Sequence, residues 1–242
     1  GRFNIAVEHL EKALSIKPDF AEAHNNLGNV LKELDQYDAA HKSYEKAISI
    51  KPDFAEAHFN LAGVLIDIRR IGEAVKSYVS ALSFDSNNNF FWAIFSKNLR
   101  DIEFLEFSDT TASCLLEAIT KSTVKANDLI KPITSILRHN PTFHGVFEVS
   151  KSSNIDEKLN YLTEQLTTIP LLLRLMELCP ITDQEVEKLL IQIRLSTLNH
   201  LSNDDITSSS LPFYEALALH CFTNEYVFME SNEETLKVDQ LE

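Results

Sequence analysis

The sequence predicts an all-α protein: a helix-pair solenoid, or α-α superhelix, followed by an irregular helical domain. Three observations predict it. The stretch Lys17-Pro18-Asp19-Phe20-Ala21-Glu22-Ala23-His24 returns letter for letter as Lys51-Pro52-Asp53-Phe54-Ala55-Glu56-Ala57-His58, 34 residues later, and a repeat of that length in a helical pattern is the signature of stacked helix pairs. Agreement continues between the copies, at Asn26/Asn60, Leu27/Leu61, Val30/Val64, Leu31/Leu65, Ala40/Ala74, Tyr44/Tyr78 and Ala47/Ala81. No segment shows sustained alternation of β-branched residues, so no sheet is expected.

Taken in order, residues 1–18 align with the second half of a unit, Phe3 matching Tyr37, Ala6 matching Ala40 and Ala13 matching Ala47. The chain therefore starts in mid-repeat and is expected to be a piece of a longer solenoid. The first complete unit has its first helix at Ala21–Glu33, and the second unit has its own at Ala55–Asp67. Small residues at Gly28/Ala62, Ala40/Ala74 and Ala47/Ala81 let antiparallel helices approach, Leu27/Leu61 and Tyr44/Tyr78 fill the gaps, and Pro18 and Pro52 mark the entry to each pair. A third unit opens at Asn89, with Trp92 in register with His24 and His58, and the register is lost after Leu99. Residues 89–107 are apolar nearly all round and are expected to form a buried junction helix between repeats 1–88 and an irregular all-helical domain over 108–242.

In that last part the helix starts are read from capping residues. Asp109 is expected to cap a helix carrying Cys114 and Leu115, and Asn127 or Asp128 one carrying Ile133 and Leu137, with Pro132 in its first turn. Pro141 and Asp156 open two more, and Thr182-x2-Glu185 forms a capping box before Val186, Leu189, Leu190 and Ile193. Ser202–Ser210 reads as a polar loop, Pro212 starts a helix running to about Phe228, and Ser231-x2-Glu234 caps a short acidic helix.

The pattern Ala23-His24-x2-Leu27-Gly28-x2-Leu31, then Tyr37, Ala40, Tyr44, Ala47 and Pro52, resembles the tetratricopeptide repeat, and Leu61, Ala62, Leu65, Ala74, Tyr78 and Ala81 repeat it. Two positions depart from the family: His24 and His58 stand where Trp is usual, and Ser86 stands where proline is expected. The resemblance implies a concave groove lined by the first helix of each pair, in which partner peptides lie. It places Asn25, Asn26, Asn29 and Lys32 of the first unit there, with Glu22 and Glu33, and Phe59 and Asn60 of the second, with Glu56, Gly63 and Asp67. Asn26 and Asn60 resemble the asparagine ladder of the O-linked N-acetylglucosamine transferase repeats, whose amides both donate to and accept from a peptide backbone. Only Lys32 in this set is positive, so the basic clamp of chaperone-binding repeats is not reproduced.

A second resemblance is carried by Phe91-Trp92-Ala93-Ile94-Phe95, Pro170-Leu171-Leu172-Leu173-Arg174-Leu175, Cys179-Pro180-Ile181, Phe213-Tyr214-Glu215-Ala216-Leu217-Ala218 and Cys221-Phe222-Thr223-Asn224-Glu225-Tyr226-Val227-Phe228. These segments look like the helical part of bacterial tetratricopeptide proteins that carry an S-adenosylmethionine-dependent methyltransferase domain downstream. The implied alternative function is substrate recognition within such a methyltransferase, with the catalytic domain outside this chain.

Composition excludes other classes. A net charge of -14 and a pI near 5.0 leave no broad basic surface for nucleic acid or an anionic membrane, so a basic or neutral polypeptide is the expected partner. The five glycines build no phosphate-cradling loop, and the apolar run Ile169–Ile181 is too short to span a bilayer. Cys114, Cys179 and Cys221 lack metal-ligand spacing and suit reduced thiols, hence a cytoplasmic location. His220 and Cys221 are adjacent and would point about 100° apart on a helix, so they form no dyad. His139 and His144 flank Pro141, and the carboxylates at Asp183, Glu185 and Glu187 suit a helix N-terminus. The expected function is a non-catalytic scaffold that binds a peptide or protein, with no cofactor or metal and with self-association through an exposed repeat edge as a further expectation.

Overall fold

The computed structural model describes residues 1–152, 155–200 and 209–223, and among them thirteen helices and no strand. The expected end of the last helix at Phe228, most of the 202–210 loop and the Ser231-x2-Glu234 box lie outside the described residues. The helices fall into two compact units, Gly1–Asn98 and Leu99–Glu242.

The first unit strings helices into antiparallel pairs. They are α1 (Arg2–Ile16), α2 (Ala21–Glu33), α3 (Tyr37–Ile50), α4 (Ala55–Asp67), α5 (Ile71–Phe84) and α6 (Asn89–Leu99). α2 packs on α3 and α4 on α5, and each pair packs on the next. Each of α2 and α4 ends in a left-handed residue, Asp35 (φ 58°) and Arg69 (φ 64°), one period apart. That turn lets Gln36 N–H reach the Leu31 carbonyl at 2.9 Å and Arg70 N–H the Leu65 carbonyl at 2.8 Å, closing the helix before the chain reverses.

Every small and large position read from the period is buried: Leu27, Gly28, Ala40, Tyr44 and Ala47 in the first unit, Leu61, Ala62, Ala74, Tyr78 and Ala81 in the second, and Trp92 in the third. Gly28 is required by its neighbour, since a Cβ there would stand 2.6 Å from Cε1 of the buried Tyr44 ring.

The departures at 24, 58 and 86 share one explanation. His24 Nε2 donates to the Pro18 carbonyl at 2.8 Å, His58 Nε2 to the Pro52 carbonyl at 2.9 Å, and Trp92 Nε1 to the Ser86 carbonyl at 2.8 Å. A carbonyl only accepts, so both imidazoles carry their proton on Nε2. Histidine substitutes for tryptophan because its ring N–H reaches the same acceptor six residues back, and Ser86 substitutes for proline because every residue has a carbonyl.

The junction differs from the expectation. Helix α6 stops at Leu99, and residues 100–108 are not helical. Within the second unit they are tied along α8 instead. Arg100 pairs with Asp128, Glu103 with Lys131 at 3.3 Å, and Phe104 N–H donates to Ser135 Oγ at 3.0 Å. Leu105 is left 85% exposed, so the stretch is not buried throughout.

The second unit holds α7 (Asp109–Thr120), α8 (Ala126–Arg138), α9 (Pro141–Ser152), α10 (Ile155–Thr167), α11 (Pro170–Leu178), α12 (Gln184–His200) and α13 (Leu211–Thr223). Its hub is α11, whose buried Leu172, Leu175 and Met176 meet α7, α8, α10 and α13. Three expected helix starts differ in their capping residue. Ser108, one residue before Asp109, accepts from Thr111 N–H at 3.3 Å. Helix α8 begins at Ala126 with no side-chain cap, because Asp128 is engaged by Arg100, and Pro132 falls in its second turn. Asp183 rather than Thr182 caps α12, accepting from the N–H groups of Glu185 and Val186 at 3.1 and 3.2 Å. Asp156 lies in the first turn of α10, and its carboxylate accepts from Ser196 Oγ of α12.

Candidate peptide-binding groove

The 34-residue period aligns α2, α4 and α6, and with them the side chains at positions 22/56/90, 25/59/93 and 26/60/94. On α2, Asn26 is exposed, and its amide has no hydrogen-bond partner among the described residues. Asn25, expected in the groove, is instead only 1% exposed. Its Nδ2 donates to Glu56 Oε1 at 3.2 Å, and its Oδ1 accepts from Asn60 Nδ2 at 3.1 Å, so three polar side chains are joined across α2 and α4. A buried amide needs both functions satisfied, and the next repeat supplies both partners.

Asn29 is half-buried and accepts from the Tyr44 hydroxyl at 2.7 Å. Burial, and then the charges of Glu56 and Glu33, push the Tyr44 pKa above its usual value, keeping the hydroxyl a neutral donor. Lys32 pairs with Asp67 at 3.5 Å, and Lys51 with Glu22 at 3.9 Å. With Phe3, Val30, Glu33 and Asn60, the residues Asn29, Lys32 and Tyr44 line a shallow open pocket.

Phe59, also expected in the groove, is 8% exposed because Phe91 of α6 lies flat against it, ring centroids 4.1 Å apart and planes 10° apart. Tyr78 meets Phe59 edge-on at 5.3 Å, and its hydroxyl accepts from Asn98 Nδ2 at 2.6 Å. Burial pushes the Tyr78 pKa up to about 12. Phe90 leans on this stack at 6.0 Å from Phe59 and is 63% exposed. The groove set read from the sequence stopped at the second unit and omitted Phe90, which adding 34 to Glu56 identifies.

Residues 1–35 and 28–67 match the family model for the TPR repeat, and residues 55–88 match a tetratricopeptide-repeat model. The first 88 residues carry tetratricopeptide repeats. The crystal structure of YrrB, a TPR protein with an unusual peptide-binding site, is similar over 86% of this chain and 99% of that one, at 12% identity and a TM-score of 0.41. No curated protein matches the chain.

Burial pushes the thiol of Cys114 up to about 12 and that of Cys179 up to about 11, so neither is a thiolate at neutral pH. His220 hydrogen-bonds the Met176 backbone on α11, while Cys221 Sγ accepts from Arg194 Nη1 of α12 at 3.5 Å, so the adjacent pair is turned toward different helices. Among the described residues no three His, Cys, Asp or Glu side chains converge to hold a metal ion. No described helix is long and apolar enough to cross a membrane.

Proposed function

We propose that this chain is a non-catalytic interaction scaffold whose tetratricopeptide repeats hold an extended peptide or protein segment against α2, α4 and α6. The observation that carries this reading is the cross-repeat amide network: Asn25 and Asn60 are locked to each other and to Glu56, with the free Asn26 amide exposed on the same helix. A preoriented polar face of this kind can exchange hydrogen bonds with a peptide backbone at little ordering cost. Asn60 commits one of its two amide N–H groups to Asn25, so the other and its carbonyl remain for the ligand, and Asn26 offers its whole amide. Capture from a peptide array by the wild-type chain and by the double variant Asn26→Ala/Asn60→Ala tests the reading. Loss of capture in the variant is expected, and equal capture by both would sink it.

The methyltransferase-associated alternative rests on the sequence segments that carry that resemblance, two of which lie on α11 and α13. On that reading the groove selects the substrate of a catalytic domain elsewhere in the protein. Titration of S-adenosylmethionine into this chain should then give no heat. A cytoplasmic setting, consistent with three unpaired cysteines, and self-association belong to the same proposal. A monomer mass independent of concentration in light scattering would remove self-association.

A further inference from the structure

The face formed by α2, α4 and α6 changes chemistry along its length. The series 22/56/90 reads Glu, Glu, Phe and the series 26/60/94 reads Asn, Asn, Ile, so an acidic amide-lined end gives way to an apolar one between α4 and α6. At the acidic end Glu56 is exposed and aimed: Asn25 holds Oε1, and Oε2 has no partner among the described residues. Lys32 is engaged by Asp67 and Lys51 by Glu22, and no ion pair to Glu56 is formed among the described residues. At the apolar end Phe90 lies 63% exposed over the rigid floor formed by stacked Phe59 and Phe91. A large aromatic ring left in water on a fixed aromatic base is the kind of surface that anchors an apolar side chain.

Neighbouring packed helices lie about 8–10 Å apart, and an extended peptide advances about 3.3 Å per residue, so the equivalent positions 56 and 90 are about three peptide residues apart. Resting on the peptide-groove reading above, we propose that the partner is an extended polypeptide segment carrying a lysine or arginine and a large apolar residue about three positions apart, the cation on Glu56 and the apolar side chain on Phe90. The locked amides of Asn25 and Asn60 orient the carboxylate, and the peptide backbone runs past Asn26 and Asn60.

The test is an array of ten-residue peptides in a glycine-serine background, each holding one arginine and one leucine at separations of one to six in both orders. It is probed with the wild-type chain, Glu56→Gln, Glu56→Lys, Phe90→Ser and the Asn26→Ala/Asn60→Ala double variant, each first checked by circular dichroism melting. Both single positions are exposed, so the folds are expected to hold. Strongest capture is expected near a separation of three and in one order. Glu56→Gln and Phe90→Ser should each weaken it at least tenfold, and Glu56→Lys should transfer preference to peptides with glutamate in place of arginine. Capture that ignores arginine and leucine but is lost in the asparagine double variant overturns this inference and leaves the groove reading standing. Capture unchanged in every variant, or no capture at all, overturns both. A dimer of the peptide-free chain that dissociates in Phe90→Ser would make the occupant of Phe90 a second copy and overturn the inference as well.

Discussion

The two units start their helices by different means, and the contrast shows what repetition contributes. None of α1 to α5 has a side-chain cap: the residues at those positions are Gly1, Phe20, Gln36, Phe54 and Arg70. In the second unit α7, α9 and α12 are opened by Ser108, Asn140 and Asp183, each accepting from backbone N–H groups of the first turn. A repeat places each helix start against a copy of the same surface, and the ring-to-carbonyl bonds at 24, 58 and 92 hold the entry turn. An aperiodic bundle has no such template, and these three helices carry their own start signal, while α8 and α11 start without a side-chain cap. Asn88 caps α6 through Phe91 N–H, where the periodic frame is ending.

If the repeats share one frame, equivalent frame residues should cost the same to remove. Tyr44→Ala and Tyr78→Ala, both at fully buried rings, are each expected to lose about 3–5 kcal/mol in denaturant unfolding. A small loss at one and a large loss at the other would break the equivalence.

The second unit should stand apart in acid. Burial lowers the His220 pKa from 6.5 to about 4, so between those values the unfolded chain binds a proton that the folded chain refuses. Stability contributed by the neutral ring is present above the unfolded pKa and falls as pH drops toward 4, by about 3 kcal/mol in all. Urea melts between pH 7 and 4.5 should show the decline, and His220→Gln should flatten it.

Smaller effects sharpen the contrast further. Gly28→Ala would gain about 1 kcal/mol of helix propensity but overpacks Tyr44, and a net loss of about 1–2 kcal/mol is expected; Ala62→Gly, at the equivalent position, should lose about 1. Asp183→Ala removes the α12 cap and the Arg138 pair, for about 1 kcal/mol. Thermal melts of the three variants measure each shift.

The bounds Ala21–Glu33 and Ala55–Asp67 are legible because two copies report on one geometry, and the same holds for Ala40/Ala74, Tyr44/Tyr78 and Ala47/Ala81. The candidate site is legible only in part. Asn26 is exposed, but Asn25 is buried because Glu56 and Asn60 come from the next repeat to claim it, and Phe59 is covered by Phe91. What a groove residue faces depends on its neighbour in space, which the period locates but whose side chain it does not repeat. The aperiodic caps fail for a related reason: Asp128 looks like a cap locally, and a partner distant in sequence, Arg100, engages it instead.

The chain has a single tryptophan, and Trp92 is buried with its indole N–H bonded to Ser86, inside the first unit. Its fluorescence is therefore an optical reporter of the repeats alone, whereas far-ultraviolet dichroism sums helices from both units. Recording the two signals through one denaturant titration separates the melting of the solenoid from that of the helices beyond it: coincident curves would describe one cooperative molecule, and displaced curves two.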